Sequence, residues 1–164
     1  MGKYIKLFED YTGEKKEANE ELGGTWTEIR DAVQMRLPFA IIVFKNTGSY
    51  QEALDSELIG SEYIKQKALM SRDGKLVKYP SIFILIEDDE AFKNKIPKIF
   101  EAFKIKAILL GKKGEEYIDY YYADGSSVSA GNEIVSSLGK DEMDNNDHFE
   151  VGSTNYMFVD FTDR

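Results

Sequence analysis

Four consecutive carboxylates, Glu87, Asp88, Asp89 and Glu90, follow directly on the apolar run Ile82-Phe83-Ile84-Leu85-Ile86. Acidic groups at the C-terminal end of a buried strand stand where open α/β sheets present ligand-binding residues, and clustered oxygen donors there suit Mg²⁺. With Asp119 or Asp160 converging on them, they would form the centre of a small Mg²⁺-dependent enzyme of phosphoryl or nucleotide chemistry. The competing role is mechanical: Asp88 or Asp89 caps the next helix, and its neighbours complement the helix dipole. No Gly-rich loop ending in Gly-Lys-Ser/Thr occurs in the chain to hold phosphates, which argues against an ATPase.

A second constellation is Lys45, Thr47, Gly48 and Ser49, between the apolar run 39–44 and a helix start, where backbone N–H groups and the dipole favour an anion. Ser49 serves equally as an N-cap. If the two apolar strands run parallel, this loop and the carboxylates share one sheet edge and form a cleft with opposite charges on its two sides. His148, the sole histidine, stands in the acid-rich run 141–150. That run reads as a solvated loop with nothing to orient an imidazole as a base, and its acids do not fall in the calcium-loop register.

Charge is distributed unevenly. Residues 91–114 hold seven lysines against the single acid Glu101, in a chain whose net charge is −9. Lys93, Lys95 and Lys98 on the helix, with Tyr120, Tyr121 and Tyr122 on a following strand, are candidates for binding an acidic partner or a second copy of the chain. The stretch has no arginine and no interleaved exposed aromatics, which argues against nucleic acid.

These groups need a scaffold, and 164 residues with 42% hydrophobic content supply one domain, 1–164, with a sizeable core. Cysteine is absent, so there is no disulfide framework and no cysteine zinc site. The longest apolar run, 37–44 with Pro38 inside it, is too short to span a bilayer, and the N-terminus lacks a signal-peptide core. A soluble, cytoplasmic protein is expected.

Residues 1–24 read as a docking segment, with an edge-strand alternation at 3–8 and charged loop or loose helix beyond it. Capping-box spacing at Thr25 and Glu28, with Trp26, Ile29, Val33 and Leu37 on one face, predicts a helix over 26–36. The unbroken apolar run 39–44 predicts a central strand, and a helix from Ser49 through Ile59 follows, closed by Gly60. Ser71-Arg72-Asp73-Gly74 predicts the turn of a hairpin. Ile96, Ile99, Phe100 and Phe103 share a helical face with Phe92, and Pro97 predicts a kink or restart within that helix. The run 105–110 then makes a strand, so that two buried strands and a crossover helix give a β-α-β unit. A C-terminal antiparallel meander follows, with a short helix at 134–138, an acidic surface loop over 140–155 and a last strand at 156–161. The expected fold class is α/β, with α+β as the alternative: a single domain holding a mixed sheet around a β-α-β core.

The opening residues, Gly2-Lys3-Tyr4-Ile5-Lys6-Leu7-Phe8-Glu9-Asp10-Tyr11, resemble the short amphipathic leaders of virion-packaged proteins of large tailed bacteriophages. In such leaders a Leu-x-Glu sequence marks processing by the capsid-assembly protease, and Leu7-Phe8-Glu9 is similar to it. The resemblance implies a phage-encoded, virion-associated protein located in the host cytoplasm or the virion. The function expected is therefore non-enzymatic interaction with a protein partner or with itself, without a cofactor; the alternative is the Mg²⁺ enzyme.

Overall fold

The computed structural model describes residues 24–59, 62–136 and 138–158. The expected docking segment lies outside the described residues except for Gly24, which opens the first helix, α1 (Gly24–Gln34). Ile29, Ala32 and Val33 bury one stripe of α1, and Trp26 and Leu37 pack at its ends. Arg36, at φ 56°, turns the chain out of the helix before Pro38.

Nine strands follow among the described residues: β1 (Phe39–Phe44), β2 (Ile64–Arg72), β3 (Lys75–Leu85), β4 (Ile105–Gly111), β5 (Tyr117–Tyr121), β6 (Ser127–Gly131), β7 (Ile134–Ser136), β8 (His148–Val151) and β9 (Thr154–Phe158). They form one sheet in the order β6-β5-β4-β1-β3-β2-β8-β9-β7, and every pairing in it is antiparallel. Helices α2 (Thr47–Leu54), α3 (Asp89–Ala102) and the short α4 (Lys140–Asn145) complete the fold.

This corrects the α/β expectation: the protein is mainly β, a nine-strand curled half-barrel. The runs 39–44 and 82–86 do belong to neighbouring central strands, but β1 pairs antiparallel with β3 on one side and with β4 on the other. Strands β3 and β4, joined by α3, therefore run in the same direction without touching, because β1 lies between them. An apolar run reports burial on both faces, and a helix layer on each side provides that for antiparallel strands as well as for parallel ones.

The curl is visible in the aromatic core. Phe39 of β1 and Phe158 of β9 stand four places apart in the strand order, about 19 Å in a flat sheet at about 4.8 Å per strand. Their ring centroids are 6.1 Å apart. The two edge strands, β6 and β7, are joined by Asn132 and Glu133 alone, so the rim nearly closes there. Arg36 holds that corner: its guanidinium donates to the carbonyl of Asn132, while its own carbonyl accepts from Gly114 N at 2.9 Å. Helix α1 plugs the concave face against Phe39, Ile41, Phe83, Leu109 and Tyr156. The convex face buries Ile42, Ile82, Ile84 and Ile108 under α2 and α3 through Ala53, Phe92, Ile96 and Ile99.

Several local expectations shift. The hairpin is present, its turn formed by Asp73 and Gly74 at φ 53° and 81°, but β3 continues through Pro80 into the central run. Pro80 falls just beyond the last β1 partner, Ser81 opposite Val43, and is paired only on its β2 side, with Lys67. Helix α2 stops at Leu54, and Leu58 and Ile59 form a turn instead. Ile134 and Val135 belong to strand β7, paired with β9, rather than to a helix. Residues 140–145 form exposed helix α4 within the expected acidic loop, and β8 and β9 occupy much of the rest of 140–155. The helix expected with a kink at Pro97 is one element, α3.

Candidate binding sites

The antiparallel order separates the two charged constellations. Phe39 pairs with Leu85 and Val43 with Ser81, so Lys45, Thr47, Gly48 and Ser49 leave the sheet at one end and Glu87, Asp88, Asp89 and Glu90 at the other. The cleft expected from parallel strands does not form. Asp88 is the N-cap of α3, its carboxylate accepting from Glu90 N at 3.0 Å and Ala91 N at 3.1 Å. Asp89 accepts from Lys113 N at 2.8 Å, which ties the start of α3 to the β4–β5 connection. Asp119 pairs with Lys112 at 3.3 Å and accepts from Ser129 Oγ at 2.8 Å, and Asp160 lies outside the described residues. Among the described residues no three His, Cys, Asp or Glu side chains gather as metal ligands.

At the other sheet end the N-cap of α2 is Asn46, not Ser49. The Asn46 carboxamide accepts from Ser49 N at 2.8 Å, occupying the helix N-terminus that an anion would need. Ser49 is buried, and its hydroxyl accepts from Lys104 N at 3.0 Å, stitching α2 to the entry of β4. His148 is also buried rather than solvated: it opens β8, with Nδ1 2.9 Å from the carbonyl of Asn146.

The lysine and tyrosine candidates divide between two sites. Lys93, Pro97, Phe100 and Glu101 form a contiguous stripe of α3, and across from them lie Tyr121, Tyr122, Ala123 and Gly125 from the β5–β6 turn. Together they line an open groove of about 610 Å³, apolar along its floor, with one cation and one anion on the helix side. Lys95 and Lys98 stay exposed off that stripe, Lys95 Nζ lying 6.0 Å from the Phe92 ring. Burial raises the Tyr121 phenol above its usual range, helped by the Asp119 charge and opposed by Lys112.

Tyr120 points to the concave face, where it lines a cavity of about 430 Å³ with Met70, Tyr122, Phe149, Met157 and Phe158. Asn145 at the end of α4, with Asn146 and Asp147 after it, forms its rim, and Val128 to Ala130 of β6 close one side. Tyr122 therefore lines both sites. This cavity escaped the sequence reading because five strands contribute to it; the alternation of Phe149 with Val151 and of Tyr156 with Phe158 was its one local signal. Comparison with family models, curated proteins and solved structures finds no match. Among the described residues no helix is long and apolar enough to cross a membrane.

Proposed function

We propose that this chain is a non-enzymatic protein-interaction protein that holds a partner segment in the groove between α3 and the β5–β6 turn. The observation that carries the proposal is the groove itself: an apolar floor from Pro97, Phe100 and Tyr121, with Lys93 at its rim to receive an acidic side chain. An apolar core inside a polar rim is the usual anatomy of a recognition surface. The resemblance of residues 2–11 to phage leaders supports a virion-associated setting.

Affinity capture from the native host, run in parallel with variants, tests the proposal. Ala123→Glu places a charge in the groove at an exposed site without touching the core, and Lys95→Glu changes charge on the same helix outside the groove. A partner retained by the wild type and by Lys95→Glu but lost by Ala123→Glu is expected. Capture that survives Ala123→Glu, or no captured protein at all, overturns it.

A further inference from the structure

We propose that the concave cavity binds a small organic cation of the methylated-ammonium type, a role separate from the groove on the other face. Four aromatic side chains, Tyr120, Tyr122, Phe149 and Phe158, and the thioethers of Met70 and Met157 make its walls, and among the described residues no lysine or arginine lines it. The amides and the hydroxyl at its rim are each anchored to the protein through one hydrogen. Asn145 Nδ2 donates to Asp141 O at 2.8 Å, Asn146 Nδ2 to Glu142 O at 2.9 Å, and Ser129 Oγ to Asp119 at 2.8 Å.

What those residues still offer is one N–H on each carboxamide, two amide oxygens, a hydroxyl oxygen, and the one formal charge among them, Asp147, which uses Oδ1 to accept from Ser71 N at 3.0 Å and keeps a second oxygen. The charge of Asp147 is felt inside the cavity, since it joins burial in holding the Tyr122 phenol above its usual range. An anion entering here meets the Asp147 carboxylate, and a neutral guest gains nothing from that charge. A methylated ammonium spreads its charge over methyl groups, is easily desolvated, and is attracted by aromatic faces as well as by the carboxylate. The volume, about 430 Å³, lies within the range of small-ligand sites.

The probe is choline, set against its neutral carbon isostere 3,3-dimethylbutan-1-ol, with ¹³C-methyl NMR of the methionines as readout. Met70 and Met157 line the cavity, whereas Met35 lies outside it, 63% exposed, and serves as the internal control. Choline should shift Met70 and Met157 saturably and leave Met35 in place, and the isostere should bind at least about tenfold more weakly. Asp147→Asn keeps an acceptor for Ser71 N–H while removing the charge, so it should fold normally and weaken choline about tenfold; Tyr122→Leu should weaken it similarly. A blocked trimethyllysine run in parallel separates the sources: tighter binding than choline assigns the head group to a protein side chain, weaker binding to a free cation. Unmoved Met70 and Met157 signals, equal binding of the isostere, or an unchanged affinity in Asp147→Asn overturns the proposal.

Discussion

Gly111→Ala tests how tightly the curl of the sheet is packed. Gly111 ends β4 opposite Phe39, and a Cβ built there would lie 2.2 Å from Phe39 Cε1 and 2.7 Å from Cδ1 and Cζ, where 3.4–4 Å is ordinary contact. The ring must retreat by more than about 1 Å to restore contact distance. Retreat is blocked, because Phe39 is fully buried and stacked on Phe83 at 5.2 Å and on Phe158 at 6.1 Å. Overpacking a filled core typically costs about 1–3 kcal/mol, and the confinement of this ring places the expected loss at the upper end. The assay is equilibrium urea unfolding, where the midpoint should fall with an unchanged slope. Shortening the neighbour should relieve the clash: in a Phe39→Leu background the added methyl should cost under about 0.5 kcal/mol, giving a coupling energy of about 2 kcal/mol in the double-mutant cycle. A loss below about 0.5 kcal/mol in the wild type, or a full loss that persists beside Phe39→Leu, would refute the reasoning.

Asp88→Asn should change stability by less than about 0.5 kcal/mol, because the carboxamide oxygen can accept the same bonds from Glu90 N and Ala91 N, and millimolar Mg²⁺ should move the melting temperature of neither protein. A wild-type shift of several degrees that Asp88→Asn abolishes would restore the metal reading. Tyr156 makes a pH prediction: burial raises its phenol pKa in the folded state, where the O–H donates to Gln66 Oε1 at 2.6 Å. The folded pKa lies above the unfolded value of about 10, so the contribution to stability is complete below about pH 10 and is lost as pH rises beyond it. Tyr156→Phe should cost about 1–2 kcal/mol at neutral pH by leaving Gln66 Oε1 without this donor, yet flatten the alkaline fall; urea titrations at about pH 7 and pH 10.5 decide, and an unchanged alkaline slope counts against it.

The elements that sequence revealed are those whose burial is periodic. Ile29 and Val33 on α1, Phe92, Ile96 and Ile99 on α3, and the continuous apolar runs in β1 and β4 all sit where their spacing implies. Strand direction was not legible, since an unbroken apolar run is the same under either pairing once helices cover both faces. Three-residue β7 is too short for period two to differ from a helical turn, and α4, with Met143 its single apolar residue, has no apolar stripe to announce it. His148 looked solvated because the acids before it are; its burial comes from β8 pairing with β2 some 80 residues earlier, Leu69 opposite His148.

The tyrosine run shows how one local pattern can serve two distant surfaces. Side chains alternate across a strand, so Tyr120 and Tyr122 take the concave side of β5 and its extension while Tyr121 takes the convex side. In the middle of a sheet that alternation would bury all of them; near its edge, with only β6 beyond among the described strands, the rings remain partly open on both faces. Sequence places these tyrosines together as one sticky surface, whereas the pleat gives Tyr121 to a groove that α3 completes and Tyr120 to a cavity that β8 and β9 complete, with Tyr122 reaching both. The curl supplies the second of these partners, and it depends on Phe39, Phe83 and Phe158 meeting across strands that sequence alone does not order.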